Sequence, residues 1–108
     1  MTVREITVER YLVRAVKATG AECHKYKTPG RSHAPDRIVL TDGAVAAFAE
    51  CKRPGETPRA GQAREHDRLR RRGFLVGVVS SYEEADEFVE ALKRRVSISP
   101  LKIKAKKC

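Results

Sequence analysis

Apolar residues at helical spacing mark a helix near each end of the chain. The first runs from about residue 3 to 19, with Thr2 and Glu5 at capping-box spacing and Gly20 placed to end it. The second helix opens at Ser81 and Glu84, which repeat the same spacing. Its apolar stripe consists of Ala85, Phe88, Val89, Leu92 and Val96.

Apolar runs between these helices predict strands over 22–27, 36–41, 45–52 and 74–80. The two middle runs flank an Asp-Gly pair, which is a strong hairpin signal, and they are apolar on both faces, as strands covered by helices are. A loop rich in proline and glycine and then an arginine-rich helix over 62–72 precede the last strand. The order α-β-β-β-α-β-α predicts an α/β domain with a central mixed sheet flanked by helices over residues 1–97. A basic tail over 98–108 follows.

Charged residues stand at the ends of the two hairpin strands. Asp36 precedes the first of them, and Glu50 and Lys52 close the second. Because alternate residues of a strand share a face, Glu50 and Lys52 point the same way.

The turn decides whether Asp36 joins Glu50 on that face. A two-residue loop at the Asp-Gly pair would set Asp36 opposite Ala49, on the wrong face. A three-residue loop over 41–43 would instead pair Asp36 with Phe48, diagonal to Glu50 and on the same face. We predict the three-residue loop, or a bulge with the same effect.

Two carboxylates at a sheet edge repel each other unless a cation lies between them. Mg²⁺ prefers carboxylate and carbonyl oxygens, and a neighbouring lysine can orient a water and offset charge on a phosphate. Asp36, Glu50 and Lys52 therefore suit phosphodiester hydrolysis. The structural alternative is a surface ion pair between Glu50 and Lys52, with Asp36 capping a turn.

The charge of the chain points to a polyanionic partner. Lys and Arg number 23 against 14 Asp and Glu in 108 residues, a formal net charge of +9. No apolar run reaches the length of a membrane span and no signal-like stretch opens the chain, so we expect a soluble cytoplasmic protein with no membrane partner. The cysteines and histidines lack zinc-site spacing, which predicts reduced thiols.

Four segments together resemble the VRR-NUC domain, a branch of the PD-(D/E)xK nuclease superfamily, in its stand-alone form. They are the acidic first helix, G-x-x-x-x-PDRIVL, AFAECK followed by Gln62, and G-x-x-V-x-VV-S, in the family's order. The resemblance spans the first helix to about residue 90. It implies a restriction-endonuclease-like fold and a metal-dependent nuclease.

The resemblance also implies roles for individual residues. Asp36 and Glu50 would bind the metal, with the backbone carbonyl of Cys51 completing its shell and the Cys51 side chain in the core. Lys52 would serve the attacking water, and Gln62 would steady the lysine or a phosphate. Gln62 could equally be a polar residue at the start of a helix.

The family uses a glutamate on its first helix, and Glu5 and Glu9 are the candidates. We favour Glu9, acting on the metal through water, because it adjoins the apolar stripe, whereas Glu5 has a capping-box role. The stretch ERYLVRAVKATG also resembles the helix of archaeal junction resolvases, with Glu9 at the catalytic position. The chain departs from close relatives at His33, where they tend to have glycine before the PD. A solvated loop histidine is the favoured interpretation there.

Arginines surround the proposed site and suit phosphate recognition without base preference. The predicted DNA-binding residues are Arg31, Arg37, Arg53, Arg59 and Arg64. Further arginines crowd the helix over 62–72, although Glu65 and Asp67 interrupt them and allow an ordinary solvated face.

The combined expectation is a Mg²⁺-dependent DNA endonuclease, with Mn²⁺ as a substitute, that acts on branched DNA such as four-way junctions. One small domain carries one site, so cutting both strands implies a homodimer, and similar free-standing domains occur in phages. Two alternatives stay open. One is a non-catalytic nucleic-acid-binding module, and the other is a nickase or site-specific nuclease serving DNA packaging or restriction. RNA is a further possible target.

Overall fold

The computed structural model describes residues 4–99, and within them the predicted order of helices and strands is confirmed. The elements are α1 (Glu5–Lys17), β1 (Glu22–Lys25), β2 (Arg37–Leu40), β3 (Ala46–Cys51), α2 (Ala60–Arg71), β4 (Leu75–Val79) and α3 (Tyr82–Ser97). The first helix begins at Glu5 with Arg4 at its N-cap, so the predicted cap at Thr2 lies outside the described residues. Most of the predicted basic tail, residues 100–108, also lies outside them.

The four strands form one mixed sheet in the order β1-β2-β3-β4. The first two pairings are antiparallel, whereas β3 and β4 run parallel because α2 carries the chain back between them. No helix within residues 4–99 is long and apolar enough to cross a membrane.

Helices cover both faces of the sheet, so the strands are apolar on both sides. The larger cluster joins α1 and α3 to one face and includes Ala47, Ala49 and Cys51 of β3. The smaller cluster lies under α2, where Phe48 packs with Leu69 and Val76. Phe48 also meets Tyr26 and Phe74 edge to face, with ring centroids 5.1 and 5.5 Å away. Alternation along β3 therefore places Glu50 on the α2 face.

The hairpin turn has the predicted three-residue length but lies one residue later than predicted. Thr41 still pairs with Val45, through its backbone N–H at 3.0 Å and its hydroxyl at 2.7 Å, so the loop is 42–44 and not 41–43. Gly43 and Ala44 both have positive φ, 82° and 61°. Ile38 consequently pairs with Phe48, and the predicted pairing of Asp36 with Phe48 is wrong.

The corrected register still brings the two acids to one face. Arg37 lies opposite Ala49, and continuing by one residue sets Asp36 opposite Glu50. Residues directly opposite each other in an antiparallel pair project to the same side of the sheet. The shift of the turn thus replaces the predicted diagonal contact with a direct one.

Both later helices begin at residues that use side chains to satisfy the free backbone groups. The hydroxyl of Ser81 accepts from the Glu84 N–H at 3.0 Å, whereas the Glu84 carboxylate accepts from the N–H and hydroxyl of Ser80, at 2.7 Å each. In α2, Gln62 Oε1 accepts from the Arg59 N–H at 2.9 Å. Because the amide oxygen of Gln62 is held at the helix start, its NH₂ group points the other way.

Gly77 of β4 provides a test of the α3 packing. A Cβ there would lie 2.5 Å from Cδ1 of Phe88, so the ring rests directly on the strand. We expect Gly77→Ala to lower the free energy of unfolding by about 1–3 kcal/mol, measured from urea midpoints. Adding Phe88→Leu should recover part of the loss. An unchanged midpoint in Gly77→Ala would contradict this packing.

Candidate active site

Asp36 and Glu50 meet where β2 begins and β3 ends. The Asp36 carboxylate accepts a hydrogen bond from the backbone N–H of Cys51 at 2.8 Å. Burial raises the pKa of Asp36 to about 6; the Cys51 N–H opposes this shift, and the nearby charge of Glu50 adds to it. Two carboxylates therefore crowd one end of the sheet, and one of them binds protons more tightly than an exposed aspartate.

Glu50 is only 3% exposed, yet most of its surroundings are polar. The Gln62 amide donates to Glu50 Oε2 at 3.3 Å, and the Lys52 Nζ lies 3.7 Å from the same oxygen. Lys52 is held in place by its own backbone N–H, which donates to the Val79 carbonyl at 2.9 Å and extends the pairing of β3 with β4. Glu50, Lys52 and Gln62, selected from the sequence, thus lie together.

His66 is the neighbour of Glu50 that the sequence analysis did not select. Its side chain is 1% exposed, and its Nε2 lies 3.8 Å from Glu50 Oε1. Neither of these two atoms has a hydrogen-bond partner among the described residues. The signal in the sequence was the spacing of Gln62 and His66, four residues apart and therefore on one face of α2.

Cys51 separates the site from the core. Its side chain is fully buried in the cluster under α1 and α3, and burial raises the pKa of its thiol. Because the side chain points away, only the backbone of Cys51 faces Asp36 and Glu50. Its carbonyl is the part of this residue that can ligate a metal.

Glu9 is buried, but it lies against cations on the α1 side of the sheet. The Arg37 Nε donates to Glu9 Oε2 at 2.7 Å, and the Lys25 Nζ lies 3.5 Å from the same oxygen. The charges of Glu9 and Glu5 still contribute to the raised pKa of Asp36. Glu9 is therefore close enough to act on the site electrostatically while its carboxylate is held by Arg37.

The residues present fit a hard divalent cation. The two crowded carboxylates and the backbone carbonyl of Cys51 are the oxygen donors that Mg²⁺ prefers, and a cation would offset the repulsion from Glu50, which adds to the effect of burial on the pKa of Asp36. Within residues 4–99, no group of three or more His, Cys, Asp or Glu side chains converges. Asp36 and Glu50 would then supply two ligands, with the rest coming from backbone and water.

Most of the predicted DNA-binding arginines already have carboxylate partners. Arg31 contacts Glu65 at 3.3 Å, Arg37 contacts Glu9 at 2.7 Å, and Arg53 contacts Glu56 at 3.4 Å. Within the described part of the chain, Arg59 and Arg64 have no ion-pair partner.

The arginines of α2 are partly neutralised in the same way. Arg68 forms two hydrogen bonds to Glu65, which lower the pKa of that carboxyl to about 2. Arg70 contacts Asp67 and donates to the Val76 carbonyl at 3.0 Å. These contacts favour the solvated-face interpretation for much of this helix.

His33 belongs to the loop between β1 and β2, and its exposed side chain lies against the start of α2. Its imidazole rests on Gly61, where a Cβ would come within 2.6 Å of the ring, and its own φ is 67°. A side chain at position 61 would therefore require the exposed His33 ring to shift.

The raised pKa of Asp36 predicts a pH-dependent effect of Asp36→Asn on stability. The folded-state pKa of about 6 exceeds the ordinary value of 3.8, so the ionised carboxyl destabilises the fold as pH rises through this window. In chelator, the variant should be more stable than wild type by about 1–2 kcal/mol at neutral pH. This gain should vanish below about pH 4, as measured by urea unfolding.

The control is Asp42→Asn, which removes the same charge from an exposed position in the turn. It should show no comparable gain at any pH. A gain for Asp36→Asn that did not change with pH, or a loss at neutral pH, would contradict the assignment of Asp36.

Comparison with known proteins identifies the family. No protein-family model matches the chain. The chain is 41% identical over 81 residues to "Putative nuclease p44" of Acyrthosiphon pisum secondary endosymbiont phage 1, covering 75% of this chain and 87% of that protein. A solved structure described as "VRR_NUC domain" shares 37% identity and a TM-score of 0.74, covering 80% of this chain and 94% of its own. The chain therefore belongs to the VRR-NUC family of nucleases.

Proposed function

We propose that this nuclease is a metal-dependent DNA endonuclease whose active site is built on Asp36 and Glu50. The observation that carries the proposal is the position of these two carboxylates, opposite each other and with Lys52 3.7 Å from Glu50. Mg²⁺ is the expected cation, and Mn²⁺ would substitute for it because both accept oxygen ligands. Asp36, Glu50 and the Cys51 carbonyl would hold the cation, with Glu9 acting through water.

When bound, the divalent cation would supply Lewis-acid polarisation of the phosphate and activation of water. The protein's own residues supply positioning and charge. Among the lysines and arginines of residues 4–99, Lys52 is the one that contacts Glu50, and only 12% of its side chain is exposed. It would orient the attacking water and offset the negative charge that develops on the phosphate.

Gln62 acts on Glu50. Its amide oxygen is fixed by the Arg59 N–H, so its NH₂ group is aimed at Glu50 Oε2. This contact would hold the carboxylate in one rotamer while substrate binds. Water would attack the phosphorus in line, the bond from phosphorus to the 3′ oxygen would break, and the products would be a 5′-phosphate and a 3′-hydroxyl.

Branched DNA, including four-way junctions, is the substrate we favour, through the likeness of the first helix to that of archaeal junction resolvases. One domain supplies one active site, so paired cuts across a junction require a homodimer. The location that we propose is the cytoplasm, which is that of the host cell if a phage encodes the protein. The phage relative, which is named as a nuclease, supports this chemistry.

A cleavage series tests the proposal. Labelled junction, flap, linear duplex and single-stranded DNA are incubated with the protein in Mg²⁺, Mn²⁺ or EDTA. We expect cutting of the junction with either metal and none in EDTA. Lys52→Ala should lose about 100-fold or more in rate, because positioned acid–base groups contribute on that order.

The matched control is Lys93→Ala, which removes an exposed lysine paired with Glu90 on α3. It should cut at the wild-type rate. DNA binding without cleavage, unaffected by Lys52→Ala, would instead identify a non-catalytic binding module. Equal cutting of junction and linear duplex would refute the preference for branched DNA, and a monomeric mass with bound junction would refute the homodimer.

A further inference from the structure

A second basic feature lies on α1, away from Gln62 and His66. A groove of about 500 Å³ is lined by Thr7, Arg10, Val13, Arg14 and Arg37. Three guanidinium groups and a hydroxyl thus surround one open space, with a valine side chain as its apolar part. Such donors suit a phosphate, because guanidinium forks bind its oxygens in pairs.

Arg10 and Arg14 of the groove differ from Arg68 and Arg70 of α2, which are paired with acids. Arg10 and Arg14 are exposed, and neither has an ion-pair partner within residues 4–99. Thr7, Arg10 and Arg14 follow one another at three and four residues, so they lie on one face of the helix. This face carries excess positive charge, whereas on α2 Glu65 and Asp67 offset Arg68 and Arg70.

Arg37 forms the inner wall of the groove and is held in position. Its Nε donates to buried Glu9, and its side chain is only 16% exposed. A guanidinium has five N–H donors, so the other nitrogens remain available to a ligand. Lys25 also contacts Glu9, so two cations accompany this single acid and the groove stays net positive.

The groove adjoins the proposed active site across the start of β2. Arg37 directly follows Asp36, and the two side chains project to opposite faces of the sheet. The charge of Glu9 is felt at Asp36, which shows that α1 passes close to the site. A DNA strand that leaves the active site around this end of the sheet would therefore reach Arg37 first, and then Arg10 and Arg14.

We propose that this groove binds a backbone phosphate of the DNA outside the bond that is cut. The inference rests on the proposed function and extends it, because it assigns a second DNA contact to the α1 face. The contact reads the phosphodiester backbone and carries no base preference. A substrate that bends or branches around the sheet edge would engage both surfaces.

Binding of labelled junction DNA by Arg10→Gln/Arg14→Gln tests the proposal. Fluorescence anisotropy in EDTA, between about 50 and 200 mM salt, separates binding from cutting. We expect the dissociation constant to rise about 10-fold or more and the log–log salt slope to fall by about two, roughly one for each lost contact. Glutamine favours helices, so both changes should leave the melting temperature unchanged.

The matched control is Arg71→Gln/Arg94→Gln, which removes the same charge from exposed positions near the C-terminal ends of α2 and α3. Both helices begin at the active-site end of the sheet, so these residues lie about 14–18 Å further along their axes. Affinity and salt slope should change less than half as much as in the groove variant. Equal losses in the two variants would overturn the groove, since only the net charge would then matter.

One other result would also overturn it. Unchanged DNA binding by the groove variant would refute the proposed contact on α1. The nuclease assignment would stay intact, as long as wild type cuts DNA. Inorganic phosphate that displaces DNA from wild type and not from the variant, at constant ionic strength, would support the groove, because free phosphate and the DNA backbone would then compete for the same guanidinium groups. Failure of the proposed function is distinguishable, because it appears as absent cleavage by wild type.

Discussion

The pairing of β2 with β3 is the constraint on which the active site depends. The side chains of neighbouring strand residues alternate between faces, so a slip of one residue would move Glu50 away from Asp36 and take Phe48 out of its cluster under α2. The turn over 42–44 fixes the register through Thr41 and Val45. Two carboxylates that repel each other are thus brought together by a backbone pairing that the apolar clusters on both faces enforce.

The α2 helix offsets part of the cost of burying the Glu50 carboxylate. An isolated buried carboxylate is strongly unfavourable, and Glu50 is almost fully buried. Gln62 and Lys52 face one of its oxygens, and His66 faces the other from one turn further along the helix. The first two turns of α2 therefore present polar side chains to the sheet, whereas Leu69, further along the helix, packs against its apolar residues.

Much of the fold could be predicted from the sequence, because periodicity and turn residues are local signals. The order of elements, the mixed sheet and the shared face of Glu50 and Lys52 follow from such signals, whereas Gln62 was selected through the family resemblance. The position of the turn could not be predicted in this way. Thr41 pairs with Val45, and its hydroxyl donates to the Val45 carbonyl, a contact that residue spacing does not reveal. The partners of Glu9 and the burial of His66 depend on how α1 and α2 dock, which is tertiary information.

A crystal of the protein soaked in Mn²⁺ tests the central claim most directly, because anomalous scattering locates this ion independently of any assay. We predict one or more manganese peaks with the carboxylates of Asp36 and Glu50 both coordinating the same ion. The same soak of Asp36→Asn should lose the peak or lower its occupancy. Ordered Asp36 and Glu50 carboxylates that share no ion, even with DNA bound, would contradict the account.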